Sequence, residues 1–285
     1  MYTPYVRSYL GMRKHQFIHE AAFGKPSTYS IILPIDQGVE HGPVDAFWDT
    51  EHQEMLDPVY LVDFVADLLN EGLISGTALP FRMAKMLKKK HSHADKVIVK
   101  VNHANNLNKD VAPDQTLFVS PHQVEQYAGY GYTIYPGSPN QKKMIEDFVQ
   151  FRSNVDWFDK KRGKSILWSY PRGGDFDPTS LKTIMHATYI AAQLNPDVIK
   201  VKLPEFYHPT RLIPTAVRQI VKCACGIPVL FSGGSKQDGD KVLEEARLIK
   251  QGGGLGMIIG RNVFQRSADD AKNLLKKIHW EFIKE

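Results

Sequence analysis

The chain has 285 residues, of which 42% are hydrophobic, 24% charged and 11% aromatic, and its formal net charge is +5. Disordered chains have few apolar residues and a large net charge, so this composition excludes a disordered or fibrous protein. Length alone leaves one or two domains open, because α/β barrels of about 250 residues form one domain. Cys223 and Cys225 lie too close in sequence for a structural disulfide and predict free thiols in a reducing compartment.

The chain shows no sign of a membrane or nucleic-acid partner. Its opening residues have scattered charges and lack the apolar run of a signal peptide, and no segment is apolar enough to cross a bilayer. The basic clusters Lys88–Lys90 and Lys160–Arg162 lack interleaved aromatic residues and predict solvated surface. We therefore expect a cytoplasmic protein.

Short apolar runs bounded by turn residues recur along the chain and predict eight strands. Most are rich in Ile and Val without strict alternation, which is typical of parallel strands buried on both faces. In chain order they are Ser30–Ile35, Leu73–Ala78, Lys96–Val101, Tyr130–Tyr135, Lys164–Ser169, Asp197–Leu203, Ile227–Ser232 and Leu255–Ile259.

Amphipathic stretches lie between these runs and predict helices, because their apolar residues recur at helical spacing. They are Pro58–Asn70, Gln141–Asn154, Asp177–Leu194, Pro214–Val221, Asp238–Gln251 and Ser267–Glu285. The alternation predicts an α/β protein: a single (β/α)8 barrel domain over residues 1–285 with short N- and C-terminal extensions. An open doubly wound sheet would need a glycine-rich dinucleotide turn after its first strand, and Gly38 and Gly42 have the wrong spacing for it.

Functional groups of such a barrel lie at the C-terminal ends of its strands. The sixth predicted strand carries Lys200 and Lys202, which point to one side while Ile199 and Val201 point to the other. The apolar side suits the helix layer, so we expect both lysines inside the barrel. Burial and a second cation lower the pKa of a lysine, and a neutral amine forms Schiff bases with carbonyl substrates. This geometry does not choose between the two lysines, and pairing with Asp36 is the alternative role.

The seventh and eighth strands end in glycine-rich loops. Ser232–Gly234 and Gly260–Arg261 supply backbone N–H donors, a hydroxyl and a guanidinium, which together predict a phosphate site. Tight turns without a ligand are the alternative.

Tyr170 and Asp36 are candidates for proton transfer. A tyrosine beside lysines and Arg172 is expected to have a lowered pKa, which suits general acid–base catalysis, and an aromatic at the barrel rim is the alternative. His41 and His103 are too dispersed to predict a zinc site.

Several motifs occur in order at the predicted strand ends: Asp36–Pro43, Thr133–Ser138, Trp168–Gly173, Ile199–Pro204, Phe231–Gly234 and Gly260–Arg266. In these motifs the chain resembles the archaeal-type, or DhnA-type, class I fructose-1,6-bisphosphate aldolases, most closely their bacterial branch. The resemblance implies a lyase of glycolysis and gluconeogenesis that reversibly cleaves fructose 1,6-bisphosphate to dihydroxyacetone phosphate and glyceraldehyde 3-phosphate. It also implies no metal or other cofactor, and a homo-oligomer, often a decamer.

The resemblance further implies roles for particular residues. Lys200 becomes the Schiff-base lysine, Tyr170 the acid–base catalyst and Asp36 the third catalytic residue. The substrate-binding residues that it implies are Gln37, His41, Asp45, Trp168, Arg172, Lys202, Ser232, Gly233, Gly234, Gly260 and Arg261. Gln37 stands where many members have histidine, and Val101–Asn106 matches the family only approximately, so we assign that segment no role.

Two other functions remain open. A Schiff-base aldolase or transaldolase-like enzyme acting on another phosphorylated ketose or deoxysugar would use the same residues. A non-catalytic barrel that binds a sugar phosphate would bind its ligand without forming an adduct that borohydride traps. A flavin or phosphoribosyl barrel would share the phosphate loops but would give Lys200 no role.

Overall fold

The computed structural model of the chain describes residues 29–47, 53–107, 111–158, 164–205 and 213–283. The opening segment and the basic cluster at 160–162 lie outside these ranges. None of the helices in the described ranges is long and apolar enough to span a membrane.

Within these ranges, eight parallel strands close into a barrel, in which β1 pairs with both β2 and β10. A two-stranded antiparallel sheet, β4 and β5, follows the third barrel strand. The strands are β1 Ser30–Pro34, β2 Gly76–Pro80, β3 Val97–Lys100, β4 Asn102–His103, β5 Thr116–Leu117, β6 Gly129–Ile134, β7 Lys164–Ser169, β8 Val198–Lys202, β9 Val229–Ser232 and β10 Gly256–Ile258. The structure confirms the predicted (β/α)8 barrel.

Helices surround the barrel and cross from strand to strand. They are α1 Gln37–His41, α2 Pro43–Phe47, α3 Pro58–Asn70, α4 Phe81–His91, α5 Gln141–Phe158, α6 Leu181–Gln193, α7 Ile213–Cys223, α8 Gly239–Gly252, α9 Arg261–Phe264 and α10 Ala268–Ile283. Short 3-10 helices cover Gln53–Leu56, Ala94–Lys96 and Pro121–Gln123.

Element boundaries differ from the predicted ones for local reasons. The helix predicted from Asp177 begins at Leu181, because Ser180 caps it by accepting a hydrogen bond from the Thr183 N–H. The strand predicted from Leu73 begins at Gly76, since the Leu73 N–H still bonds the Leu68 carbonyl at the end of α3.

Alternating side chains divide the core into two layers. A small cluster fills the barrel interior, and a larger one packs between the sheet and the helices. The interior cluster contains Ile32, Ala78, Ile98, Ala128, Ile166, Trp168, Val198, Leu230 and Ile258. Ile199 and Val201 of β8 belong to the outer layer, as predicted, so the alternate residue Lys200 points into the barrel.

The alternation of glycine and tyrosine in β6 makes room for a tryptophan at the barrel centre. Tyr130 and Tyr132 pack outward against Phe151 and Phe148 of α5, respectively. Gly131 faces the interior, where an added Cβ would lie 2.0 Å from a ring carbon of Trp168. The indole of Trp168 therefore fits inside the barrel only because residue 131 is glycine.

We predict that Gly131→Ala destabilises the fold, because its methyl group overlaps the indole of Trp168. Overpacking of this kind costs about 1–3 kcal/mol, which denaturant unfolding would measure. Gly239→Ala is the matched control: its Cβ would meet only Leu274 Cδ1 at 3.8 Å, and it adds a better helix former at the start of α8. Equal stabilities of the two variants would contradict the prediction.

Candidate active site

A buried amine lies at the centre of the barrel mouth. Lys200, on β8, is 5% exposed, and its Nζ lies 4.8 Å from the ring centroid of Trp168 and 5.5 Å from that of Tyr170. Burial lowers the pKa of Lys200 to about 7, while Asp36 opposes this shift and the charge of Lys100 adds to it. A large fraction of this amine is therefore neutral near neutral pH.

The two lysines of β8 differ in depth. Lys202 lies on the same side of the strand, one pleat nearer the mouth, and its side chain is exposed. The structure thus places one of the two predicted lysines in the apolar interior and the other at the rim.

A third lysine, which sequence analysis missed, shares the interior. Lys100 ends β3, is 3% exposed and has its Nζ 5.7 Å from the centroid of Trp168. The ammonium donates to the side-chain oxygen of Asn102 at 2.9 Å and to its backbone carbonyl. Burial lowers the pKa of Lys100 to about 8, against the opposing charges of Asp36 and Glu40.

Asn102 fixes this lysine to the neighbouring strand. Its Nδ2 donates to the Thr133 carbonyl at 2.8 Å, and its Oδ1 accepts from the Thr133 N–H at 2.7 Å. Both residues are buried. The predicted strand Lys96–Val101 contained a usable signal, because Ile98 faces the interior and Lys100 follows it at the two-residue period of a strand.

Tyr170 lies beside Lys200, but its titration differs from the expectation. Burial raises the pKa of Tyr170, and the hydrogen bond that its hydroxyl donates to Ser232 Oγ at 3.3 Å opposes the shift only in part. The expectation of a lowered pKa was wrong because loss of hydration outweighs the nearby cations. Tyr170 therefore keeps its proton and is placed as a donor.

Arg172 is held by an acidic residue that sequence analysis did not select. Its guanidinium donates to Glu40 at 2.7 Å and to the Tyr135 hydroxyl at 3.1 Å, and stacks 4.5 Å from the Tyr135 ring centroid. Burial alone would raise the pKa of Glu40, but Arg172 holds it below its usual value. Gln115 donates to the same Tyr135 hydroxyl at 2.6 Å.

The segment after β1 brings further predicted residues to the mouth. The charge of Asp36 acts on both interior lysines. The Gln37 amide lies against the loop after β10, since a Cβ on Gly260 would be 2.6 Å from its Nε2. His41 Nδ1 is 3.0 Å from the amide nitrogen of Asn106. Asp45 lies exposed on α2, a helix that packs against α1 and α9.

The two glycine-rich loops are neighbours, because Ser232 of β9 pairs with Ile258 of β10. A Cβ on Gly234 would meet nothing within 4 Å, and one on Gly233 would meet only the Asn262 amide at 3.5 Å. The backbone is therefore open to close approach by an anion. Arg261, at the start of α9, is partly exposed beside them.

Two buried polar atoms near the mouth have no hydrogen-bond partner among the described residues: Trp168 Nε1 and Gln37 Oε1. Buried polar groups are rarely left unpaired, so a bound polar molecule would satisfy them. Across residues 29–283, apart from the gaps named above, no three His, Cys, Asp or Glu side chains come together to hold a metal ion. Burial lowers the pKa of His103 to about 3, which keeps this imidazole neutral.

Comparison with known proteins agrees with this geometry. The family model of the DeoC/LacD family aldolases matches residues 30–266. The fructose-bisphosphate aldolase class 1 of Thermoproteus tenax is 31% identical over 244 residues, covering 83% of this chain and 84% of the relative. The probable fructose-bisphosphate aldolase class 1 of Chlamydia pneumoniae is 28% identical over 295 residues, with 88% and 78% covered.

Solved structures agree as well. An archaeal fructose-1,6-bisphosphate aldolase, solved with its catalytic lysine covalently bound to the carbinolamine intermediate of the substrate, superposes with a TM-score of 0.74 at 29% identity. The superposition covers 89% of this chain and 94% of that one. The family match spans every strand of the barrel and both glycine-rich loops. The chain therefore belongs to the DeoC/LacD family of aldolases.

Proposed function

We propose that the protein is a class I, Schiff-base fructose-bisphosphate aldolase. The observation that carries this proposal is a lysine with a pKa of about 7, buried in the barrel mouth beside a protonated tyrosine. An amine that is neutral near pH 7 can attack a ketone, and the iminium that results withdraws electrons from the adjacent carbon–carbon bond. The names of the relatives supply the substrate.

The first stage forms the covalent intermediate. The neutral Nζ of Lys200 adds to the C2 carbonyl of fructose 1,6-bisphosphate and gives a carbinolamine. Tyr170 donates its proton to the C2 hydroxyl, which leaves as water, so that an iminium forms beside a phenolate. The positive charge of the iminium offsets the cost of ionising a buried tyrosine.

The second stage breaks the bond between C3 and C4. The Tyr170 phenolate takes the proton of the C4 hydroxyl, glyceraldehyde 3-phosphate leaves as the aldehyde, and the bonding electrons move into the iminium to give an enamine. Protonation of C3 and hydrolysis then release dihydroxyacetone phosphate. The tyrosine thus serves first as acid and then as base. This order follows from its raised pKa, because Tyr170 is protonated before substrate binds.

Other residues bind and orient the substrate in this scheme. We assign one phosphate to Ser232, Gly233, Gly234, Gly260 and Arg261, where backbone N–H groups are accessible. Arg172 uses part of its guanidinium for Glu40 and keeps further N–H donors for the distal end of the sugar. Trp168, Gln37, His41 and Lys202 complete the binding site, and Asp36 balances the interior charge. We assign Asp45, which is exposed on α2, to the distal end of the substrate.

We also propose that the enzyme needs no metal or other cofactor, is cytoplasmic and forms a homo-oligomer such as a decamer. The first proposal follows from the chemistry, because a protonated imine takes over the electron-withdrawing role that a metal ion has in other aldolases. The free thiols of Cys223 and Cys225 fit a reducing compartment. Oligomer formation rests on the resemblance alone.

Borohydride reduction with dihydroxyacetone phosphate will add one adduct mass to the peptide that contains Lys200. Lys200→Met will abolish the adduct, and EDTA will leave cleavage unaffected. Peptide mapping by mass spectrometry is decisive because Lys100 is a second buried lysine with a lowered pKa. An adduct on Lys100 or Lys202 would overturn the assignment, and loss of activity in EDTA that zinc restores would favour a metal mechanism.

The trapping rate will rise with pH as the amine of Lys200 loses its proton, from about pH 6 to about pH 8. Lys100→Met will move this rise to higher pH, because it removes a positive charge that lowers the pKa of Lys200. Trapping below about pH 7 should then slow several-fold. Lys241→Met, which removes an exposed lysine of α8, serves as the control and will leave the midpoint unchanged. An identical midpoint in the Lys100 variant would contradict the proposed coupling.

Tyr170→Phe will lower kcat for cleavage by roughly 10²–10⁴-fold, the usual contribution of a general acid–base catalyst. Steady-state kinetics with fructose 1,6-bisphosphate would measure this loss. Tyr130→Phe is the matched control, since Tyr130 packs outward against α5. If Tyr170→Phe retained the kcat of the wild type, another group would have to carry the proton.

A further inference from the structure

A buried asparagine ties together the two loops of the candidate phosphate site. Asn262, the second residue of α9, is 1% exposed. Its Oδ1 accepts a hydrogen bond from the Gln237 N–H at 2.8 Å, and its Nδ2 donates to the Ser235 carbonyl at 3.2 Å. One amide group thus fixes the loop after β9 against the segment after β10.

Arg266 supplies a second connection between the same segments. Its Nη2 donates to the Gln237 carbonyl at 2.6 Å, and its Nε donates to the Asn262 carbonyl at 2.8 Å. Gln237 is therefore held at both backbone groups, its N–H by Asn262 and its carbonyl by Arg266. Two anchors on one residue restrict the conformations that this loop can adopt.

The anchored segments lead directly into the proposed phosphate ligands. Ser232–Gly234 precedes Ser235 on one side, and Gly260–Arg261 precedes Asn262 on the other. Asn262 lies just beneath the first loop, since its Nδ2 would be 3.5 Å from a Cβ on Gly233. An anion bound by donors from both loops needs those donors at one separation, and loose loops would lose affinity through the cost of ordering them.

We propose that Asn262 is a positioning residue that sets the separation of the two loops and thereby the affinity for the substrate's phosphate. It acts through the backbone of Ser235 and Gln237. The inference rests on the proposed function in one respect, namely that a phosphate binds between Ser232–Gly234 and Gly260–Arg261.

The test compares two ketones that differ only in phosphate. Borohydride trapping of Lys200 is measured with dihydroxyacetone phosphate and with dihydroxyacetone, in the wild type and in Asn262→Ala. Asn262→Ala loses two buried hydrogen bonds. It should therefore raise the concentration of dihydroxyacetone phosphate that gives half-maximal trapping by roughly tenfold or more. The rate with dihydroxyacetone should stay at the wild-type level. A merely structural role would affect both ketones alike.

Two further variants make the test specific. Gln265→Ala removes a side-chain hydrogen bond from the same segment to the Ala46 carbonyl, at 3.2 Å, which involves neither Ser235 nor Gln237. It should leave trapping with both ketones unchanged. Arg266→Met keeps the Asn262 amide. It should weaken the apparent affinity for dihydroxyacetone phosphate by a smaller factor and leave trapping with dihydroxyacetone unchanged. This second variant keeps the proposal testable if Asn262→Ala does not fold.

Titration with inorganic phosphate separates this inference from the proposed function. Calorimetry should show weaker phosphate binding to Asn262→Ala than to the wild type. If the wild type formed no adduct with either ketone, the aldolase proposal would fail. The phosphate titration would still test whether Asn262 positions the phosphate-binding loops. Equal phosphate affinities, or equal losses with both ketones, would overturn the positioning role.

Discussion

The whole site depends on placing an amine where water cannot hydrate its charged form. Lys200 points into the apolar centre of the barrel, against the face of an indole. Burying an ammonium costs several kcal/mol, and a lysine avoids much of that cost by giving up its proton. Asp36 and Glu40 act in the opposite direction, which keeps the pKa of the amine near neutrality rather than lower. In the proposed mechanism, the burial that costs the ammonium its hydration is also what makes Lys200 a nucleophile.

The two interior lysines differ in pKa because their surroundings differ. Lys100 donates to two oxygens of Asn102, and such acceptors favour the protonated form. No comparable hydrogen bond is found for Lys200 in the described part of the chain, where its Nζ lies against the rings of Trp168 and Tyr170. One amine is thus suited to remain a fixed cation, and the other is suited to lose its proton. The higher pKa of Lys100 agrees with this division.

The order of strands and helices could be predicted from the sequence, because runs of Ile and Val and helical periodicity are local signals. Lys200 and Tyr170 could be found because they stand at the ends of such runs. Glu40 could not be selected from the sequence, because its role depends on an ion pair with Arg172, which is 132 positions away. The raised pKa of Tyr170 also could not be predicted from the sequence, because the burial of its hydroxyl depends on the closed barrel. The β4–β5 hairpin consists of two-residue strands, too short to give a periodic pattern.

The hydroxyl of Ser232 takes part in two hydrogen bonds, one as acceptor and one as donor. It accepts a hydrogen bond from Tyr170 and lies 3.3 Å from the Val201 carbonyl, to which it donates. In the proposed mechanism the same hydroxyl belongs to the phosphate site. A phosphate that draws the Ser232 proton away from Val201 also reorients the acceptor that aims the Tyr170 hydroxyl. Anion recognition and proton delivery then share one atom, so that ketones without a phosphate would be discriminated against in the rate of dehydration as well as in binding.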